Sequence, residues 1–260
     1  MPSSVADRFR AWASRLEPAS TLVRFRMAFG AIWLVYDVID LLGSGTARIT
    51  DWLGTTAPSG LVFLQLGLIA CELLMVLGEP VAFAAPATLV AALLRGLEWR
   101  TYLRLNDFAY YAVTALILGH SGARGGLFRP PAEGSTARRW PRDVLVLQAA
   151  WIYFATGLLK LNPSWLSGRH LFVRLEYLHS VLAWPYPGLM NRCAEALPCD
   201  AVLAWTGVMG ELSLACLLAF HRRRRFALPL AIMIHGFGGL GTNVWFFGPS
   251  LVAQIACLTD

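Results

Sequence analysis

Residues 226 to 259 read FALPLAIMIHGFGGLGTNVWFFGPSLVAQIACLT, and none of these 34 positions is Asp, Glu, Lys or Arg. A helix that crosses the hydrocarbon core of a bilayer needs about 20 apolar residues. An uncharged run this long therefore predicts a spanning helix with apolar chain left over. The rest of the sequence agrees. Of 260 residues, 57% are hydrophobic and 15% charged, against about 25% charged in a typical soluble domain. The mean hydropathy is +0.54. This composition excludes a disordered chain, a fibrous protein and an ordinary soluble enzyme. The fold class it predicts is all-α: a polytopic transmembrane helical bundle of about seven spans, with the lipid bilayer as its main partner.

Working outward from that run, hydropathy predicts spans over 21–42, 60–77, 82–96, 106–120, 144–162, 201–220 and 227–247. The apolar stretch 249–258 is too short to cross. At the other end, Val5, Phe9, Trp12 and Leu16 recur at helical spacing. They place one apolar stripe on a helix otherwise rich in Arg, the pattern of a helix lying in the membrane surface. Pro18 closes it. This segment lacks the apolar core of a signal peptide. The predicted organisation is an interfacial helix over 1–18, a transmembrane domain over 20–250 and an apolar tail over 251–260.

The net charge is +6, with a pI of about 9.4. The excess sits beside apolar segments, so membrane topology explains it and no nucleic-acid partner is implied. With the N-terminus cytoplasmic, inside segments carry 14 Arg and outside segments seven. Arg95, Arg100 and Arg104, in one outside loop, run against the rule. The expectation is a multi-pass inner-membrane protein, N-terminus inside. The loops 121–143 and 221–226 are then cytoplasmic and 163–200 external.

Of 22 basic residues, 21 are Arg; Lys160 is the only lysine. It lies in an apolar segment, and Lys, unlike Arg, can give up its proton when buried. Other ionisable groups inside predicted spans are Asp37, Asp40, Glu72, Glu211 and His235. Such groups are costly in a membrane and need a reason. At a rise of about 1.5 Å per residue, Asp37, Lys160 and Asn243 lie roughly 22–24 Å from the cytoplasmic starts of their helices. Asn106, Asp107 and Tyr110 open the fourth span on that same outer side. Glu211 and His235 fall nearer the middle. The pattern predicts an outward-facing polar pocket floored by Glu211 and His235. Lys160 there is either a general base or half of a structural ion pair with Asp37 or Asp107. Desolvation favours the neutral amine and a touching carboxylate the ammonium, so the base needs apolar walls and no carboxylate within about 4 Å. Cys193 and Cys199, six residues apart in the 163–200 loop, are either a small disulfide loop or two free thiols. No zinc spacing occurs, so no metal is expected. GFGGLG at 236–241 follows no strand and reads as close helix packing.

The fifth span continues as Gln148-Ala-Ala-Trp-Ile-Tyr-Phe-Ala-Thr-Gly-Leu-Leu-Lys160-Leu-Asn-Pro-Ser-Trp165-Leu-Ser-Gly168. This resembles the signature of the horizontally transferred transmembrane (HTTM) superfamily, to which the vitamin K-dependent gamma-carboxylases belong. Tyr153, Phe154, Gly157, Lys160, Leu161, Trp165 and Gly168 match its pattern. Arg24, Arg26 and Gly30, then Asn106-Asp107, Glu211, and His235 with Phe246-Phe247-Gly248 resemble other parts in the same order. In the carboxylases, the matching lysine deprotonates reduced vitamin K. The resemblance implies Lys160 as base on a quinol or a small exported peptide, and a reduced quinone as cofactor. His235 and Glu211 would tune it or relay protons, Asp37 and Asn106 orient it, and Tyr153 and Trp165 line the pocket. The carboxylases carry a large lumenal region that 260 residues cannot include. The size suits the sporulation-delaying-protein B type, which matures a secreted peptide toxin. The competing reading is a non-enzymatic membrane protein: a maturation partner, immunity factor or permease.

Overall fold

The structure is a computed structural model and describes residues 4–53, 59–78, 102–168, 199–242 and 247–259. It is mostly helical. Helix α1 spans Val5–Ala13. Ser4 caps it, its hydroxyl accepting from the Asp7 amide at 3.1 Å, while Asp7 puts a negative charge in the first turn. The helix stops short of Pro18. Strand β1, Leu16–Pro18, follows and pairs antiparallel with β2, Thr136–Arg138. Proline disfavours helix at the residue before it, and β2 supplies the alternative backbone partners. This small ribbon is the one departure from an all-helical chain among the described residues.

Helices α2 (Ala19–Leu53), α3 (Ser59–Leu77), α4 (Tyr102–Gly119) and α5 (Trp140–Leu159) follow. Helix α2 runs beyond the expected end at 42. Gly43 and Gly45 cost only about 1 kcal/mol each in a helix interior and do not break it. The expected span 82–96 lies outside the described residues. The stretch read as one transmembrane domain divides into two compact units, Met1–Leu145 and Val146–Asp260.

In the first unit, Phe25, Phe29 and Trp33 form a stripe at i, i+4 and i+8 on α2. Phe29 stacks on Tyr111 of α4 with ring centroids 5.4 Å apart, and Trp33 lies 4.8 Å from the same ring. The neighbouring face of α2 meets α3. A Cβ on Gly30 would sit 3.1 Å from the Glu72 carbonyl oxygen, so glycine sets this close approach. Arg26, 1% exposed, donates to the carbonyls of Met75 at 3.2 Å, Ala123 at 2.7 Å and Gly125. The Ala19 amide donates to Ser135 O, and the Arg139 amide to Arg15 O. The start of α2, the ends of α3 and α4 and the start of α5 therefore meet at one end of this unit. Helices α2 and α5 run away from this end, and α3 and α4 run toward it.

The second unit holds the remainder of α5, the single turn α6 (Pro163–Leu166), α7 (Cys199–Ala219), a 3-10 turn (His221–Phe226), α8 (Ala227–Thr242) and α9 (Phe247–Leu258). The stretch read as an apolar tail is thus part of helix α9. It buries Ser250, Leu251, Gln254, Ile255 and Leu258, a stripe at helical spacing. Among the described residues, Ala201–Ala219 of α7 is the one helix long and apolar enough to cross a membrane. The apolar stretches Leu66–Leu77, Tyr110–Gly119 and Gly248–Leu258 are shorter.

Candidate functional site

On α5, Tyr153, Gly157 and Lys160 fall at i, i+4 and i+7, hence on one face. Gly157 is where α7 comes closest: a Cβ there would lie 2.8 Å from Leu212 Cδ2. That approach brings Glu211, the residue before Leu212, onto Lys160. The Lys160 ammonium donates to Glu211 Oε1 in a direct ion pair. The two side chains are 26% and 12% exposed. Glu211 Oε2 is buried and has no hydrogen-bond partner.

The sequence just after α5 supplies a lid to this pair. Asn162 caps α6, its side-chain oxygen accepting from the Trp165 amide at 3.0 Å. Pro163 opens the turn, where its missing N–H costs nothing. Gly168 closes it at φ 79°, a region that favours glycine. The turn holds the Trp165 ring 5.0 Å from the Lys160 ammonium, within cation–π range.

About two turns back along the same face, Tyr153 Oη and His235 Nε2 share a hydrogen bond of 2.6 Å. Tyr153 is 2% exposed. Helix α9 closes on the imidazole through Gly248, where a Cβ would fall 2.8 Å from His235 Nδ1. Tyr153 and Lys160 lie about two turns apart on one face of α5 and its end, so the two pairs form one cluster. Three glycines, Gly157, Gly210 and Gly248, bring the helices together around it; a Cβ on Gly210 would meet Ile234 at 2.8 Å.

The second unit thus gathers Lys160, Glu211, Tyr153, His235 and Trp165. The base reading of Lys160 required no carboxylate within about 4 Å and the structural reading a direct carboxylate pair; Glu211 touches the ammonium, which is the arrangement of the structural pair. The pairing partner of Lys160 is Glu211, because the Gly157 contact sets which face of α7 meets α5. Asp37 and Tyr110 are buried in the first unit. Asn106 and Asp107 lie in α4, but their side chains, with that of Asp40, fall outside the described residues. So do Asn243 and Cys193; Cys199 begins α7, its side chain undescribed. Arg26, one of the 14 arginines assigned to the cytoplasmic side, is buried and fastens three segments. Its position inside the first predicted span was the available signal.

The chain is mostly helical, and among the described residues one helix, Ala201–Ala219, is long and apolar enough to cross a membrane. A family model for the HTTM domain matches residues 15–248, and the chain belongs to the HTTM family. No solved structure matches the chain.

Proposed function

We propose that this is a multi-pass inner-membrane protein, N-terminus cytoplasmic, in which Lys160 and Glu211 act together as an outward-facing acid–base site. The observation that carries the reading is the chain's only lysine paired with Glu211, whose second oxygen is buried without a hydrogen-bond partner. For Lys160 to act as a base beside a touching carboxylate, which favours the ammonium, a proton must first pass to Glu211 along their hydrogen bond, leaving a neutral amine. That amine then takes a proton from an acidic group of the substrate, a quinol hydroxyl or a small exported peptide. Tyr153 and His235 are placed to adjust the charge balance of the pair. A reduced quinone is the cofactor class that the family relationship supports.

The direct ion pair also favours a second reading, a non-enzymatic membrane protein in which Lys160–Glu211 only joins α5 to α7. Lys160→Arg separates the two. Arginine keeps the charge and the pair but cannot act as a base. The assay is quinol turnover in membranes, or processing of a small secreted peptide where the neighbouring genes encode one. Loss of activity with normal membrane insertion supports the base; full activity removes it.

A further inference from the structure

The end of the first unit where the helix termini meet carries surface chemistry that the Lys160 site does not use. Helix α1 buries none of its residues and exposes Val5 (85%) and Phe9 (62%). After α4, Leu127 and Phe128 (79%) project outward from a pinned loop. The Leu127 amide donates to Val76 O at 3.1 Å and the Gly126 amide to Arg129 O at 2.7 Å, while Arg26 holds the carbonyls of Ala123 and Gly125. The tip therefore cannot simply fold its apolar side chains back under the loop. Arg8, Arg10, Arg15, Arg124, Arg129 and Arg138 are exposed in the same segments. Glu17 and Asp143 at the same end are engaged by Arg142 and by Arg139 and Trp12. A cleft of about 350 Å³ with Leu16, His120, Thr136 and Arg138 on its walls opens between β1–β2 and the end of α4.

Large apolar side chains that protrude singly among arginines suit a fluid, negatively charged surface better than a rigid protein groove. The apolar tips enter the headgroup boundary and the guanidinium groups bind phosphate oxygens in pairs. We propose that this end of the first unit is a seat for anionic phospholipid, with α1 and the Leu127–Phe128 tip as its two apolar anchors. The inference rests on the membrane reading above but not on any role of Lys160.

The test uses the full chain in vesicles of phosphatidylcholine, with or without phosphatidylglycerol. A spin label is placed at Phe128→Cys, or at Glu133→Cys as an aqueous control, with the native cysteines changed to Ser. The label at 128 should be several-fold more accessible to oxygen than to a water-soluble nickel chelate, more so with phosphatidylglycerol, and the label at 133 the reverse. A chelate-accessible label at 128 in both vesicle types overturns the proposal. Failure of the protein to float with the vesicles overturns the membrane reading itself. A second measurement needs no cysteine changes. Phosphatidylglycerol should raise the Tm of the detergent-solubilised wild-type chain more than phosphatidylcholine does, and R124Q/R138Q should lose that difference. Equal shifts from the two lipids overturn the proposal.

Discussion

Glu211 has one oxygen on Lys160 and the other buried without a partner, so the energetics of this pair hinge on which partner is removed. Taking one charge from a fully buried pair strands the other and costs about 3–5 kcal/mol. Lys160 keeps a quarter of its side chain exposed, so solvent absorbs part of that. Glu211→Leu alone should destabilise by roughly 1–3 kcal/mol, read from thermal melts in detergent. The double variant Lys160→Met with Glu211→Leu should return to within about 1 kcal/mol of wild type, because well-packed apolar residues replace a buried pair without penalty. If the double variant is stable and also retains activity, the pair is structural.

Among the elements, the junction between α3 and the loop after α4 is the least forgiving. Gly126 packs directly on the backbone of Leu77, and a Cβ there would overlap its carbonyl. Gly126→Ala should cost about 2 kcal/mol or more, since backbone cannot step aside as a side chain can. At Gly157 the obstacle is the tip of Leu212, which can rotate, so Gly157→Ala should cost less. Chemical melts of the two variants give the order. The β1–α5 contact has its own pH signature. Burial pushes the Glu17 carboxyl above its ordinary value of 4.5, partly offset by the hydrogen bond from Arg142 at 3.2 Å. A carboxyl raised in the folded state favours folding fully below pH 4.5 and loses that contribution as pH rises through the folded value. Glu17→Gln should therefore match or exceed the wild-type Tm at pH 7, with its relative advantage lost below pH 4.5. A Gln variant clearly less stable at pH 7 would show that the Arg142 pair outweighs burial.

At the scale of the whole molecule, the arginine distribution predicts a topology. The loops 121–143 and 221–226 should face the cytoplasm and 163–200 the outside. In the first unit, the start of α2, the ends of α3 and α4 and the start of α5 share one end, as alternating crossings with that end cytoplasmic would require. Single-cysteine versions in intact cells, treated with an impermeant thiol reagent, check the orientation. A cysteine at Arg223 should be protected until the membrane is opened, and one in the 163–200 loop labelled at once. Labelling at Arg223 in intact cells would invert the topology and put Lys160 on the inner side.

Helix positions were legible because a run of apolar residues is a one-dimensional property. The spans 60–77 and 201–220 match α3 and α7 to within two residues. The face of α5 carrying Tyr153, Gly157 and Lys160 was equally readable, since spacing alone sets which side chains align. Helix α9 and the β1–β2 ribbon were not. A ten-residue apolar stretch is ambiguous until a neighbour buries it, and Leu16–Pro18 becomes a strand only because Thr136–Arg138 lies beside it. The same reason governs the site. Position along a helix gives the height of a polar group, but not which neighbour it turns toward. Glu211 meets Lys160 because Gly157 lets α7 approach on that side, and Arg26 turns inward because three carbonyls converge on it. Both choices are made by contacts between residues far apart in the chain, which only the packed helices bring together.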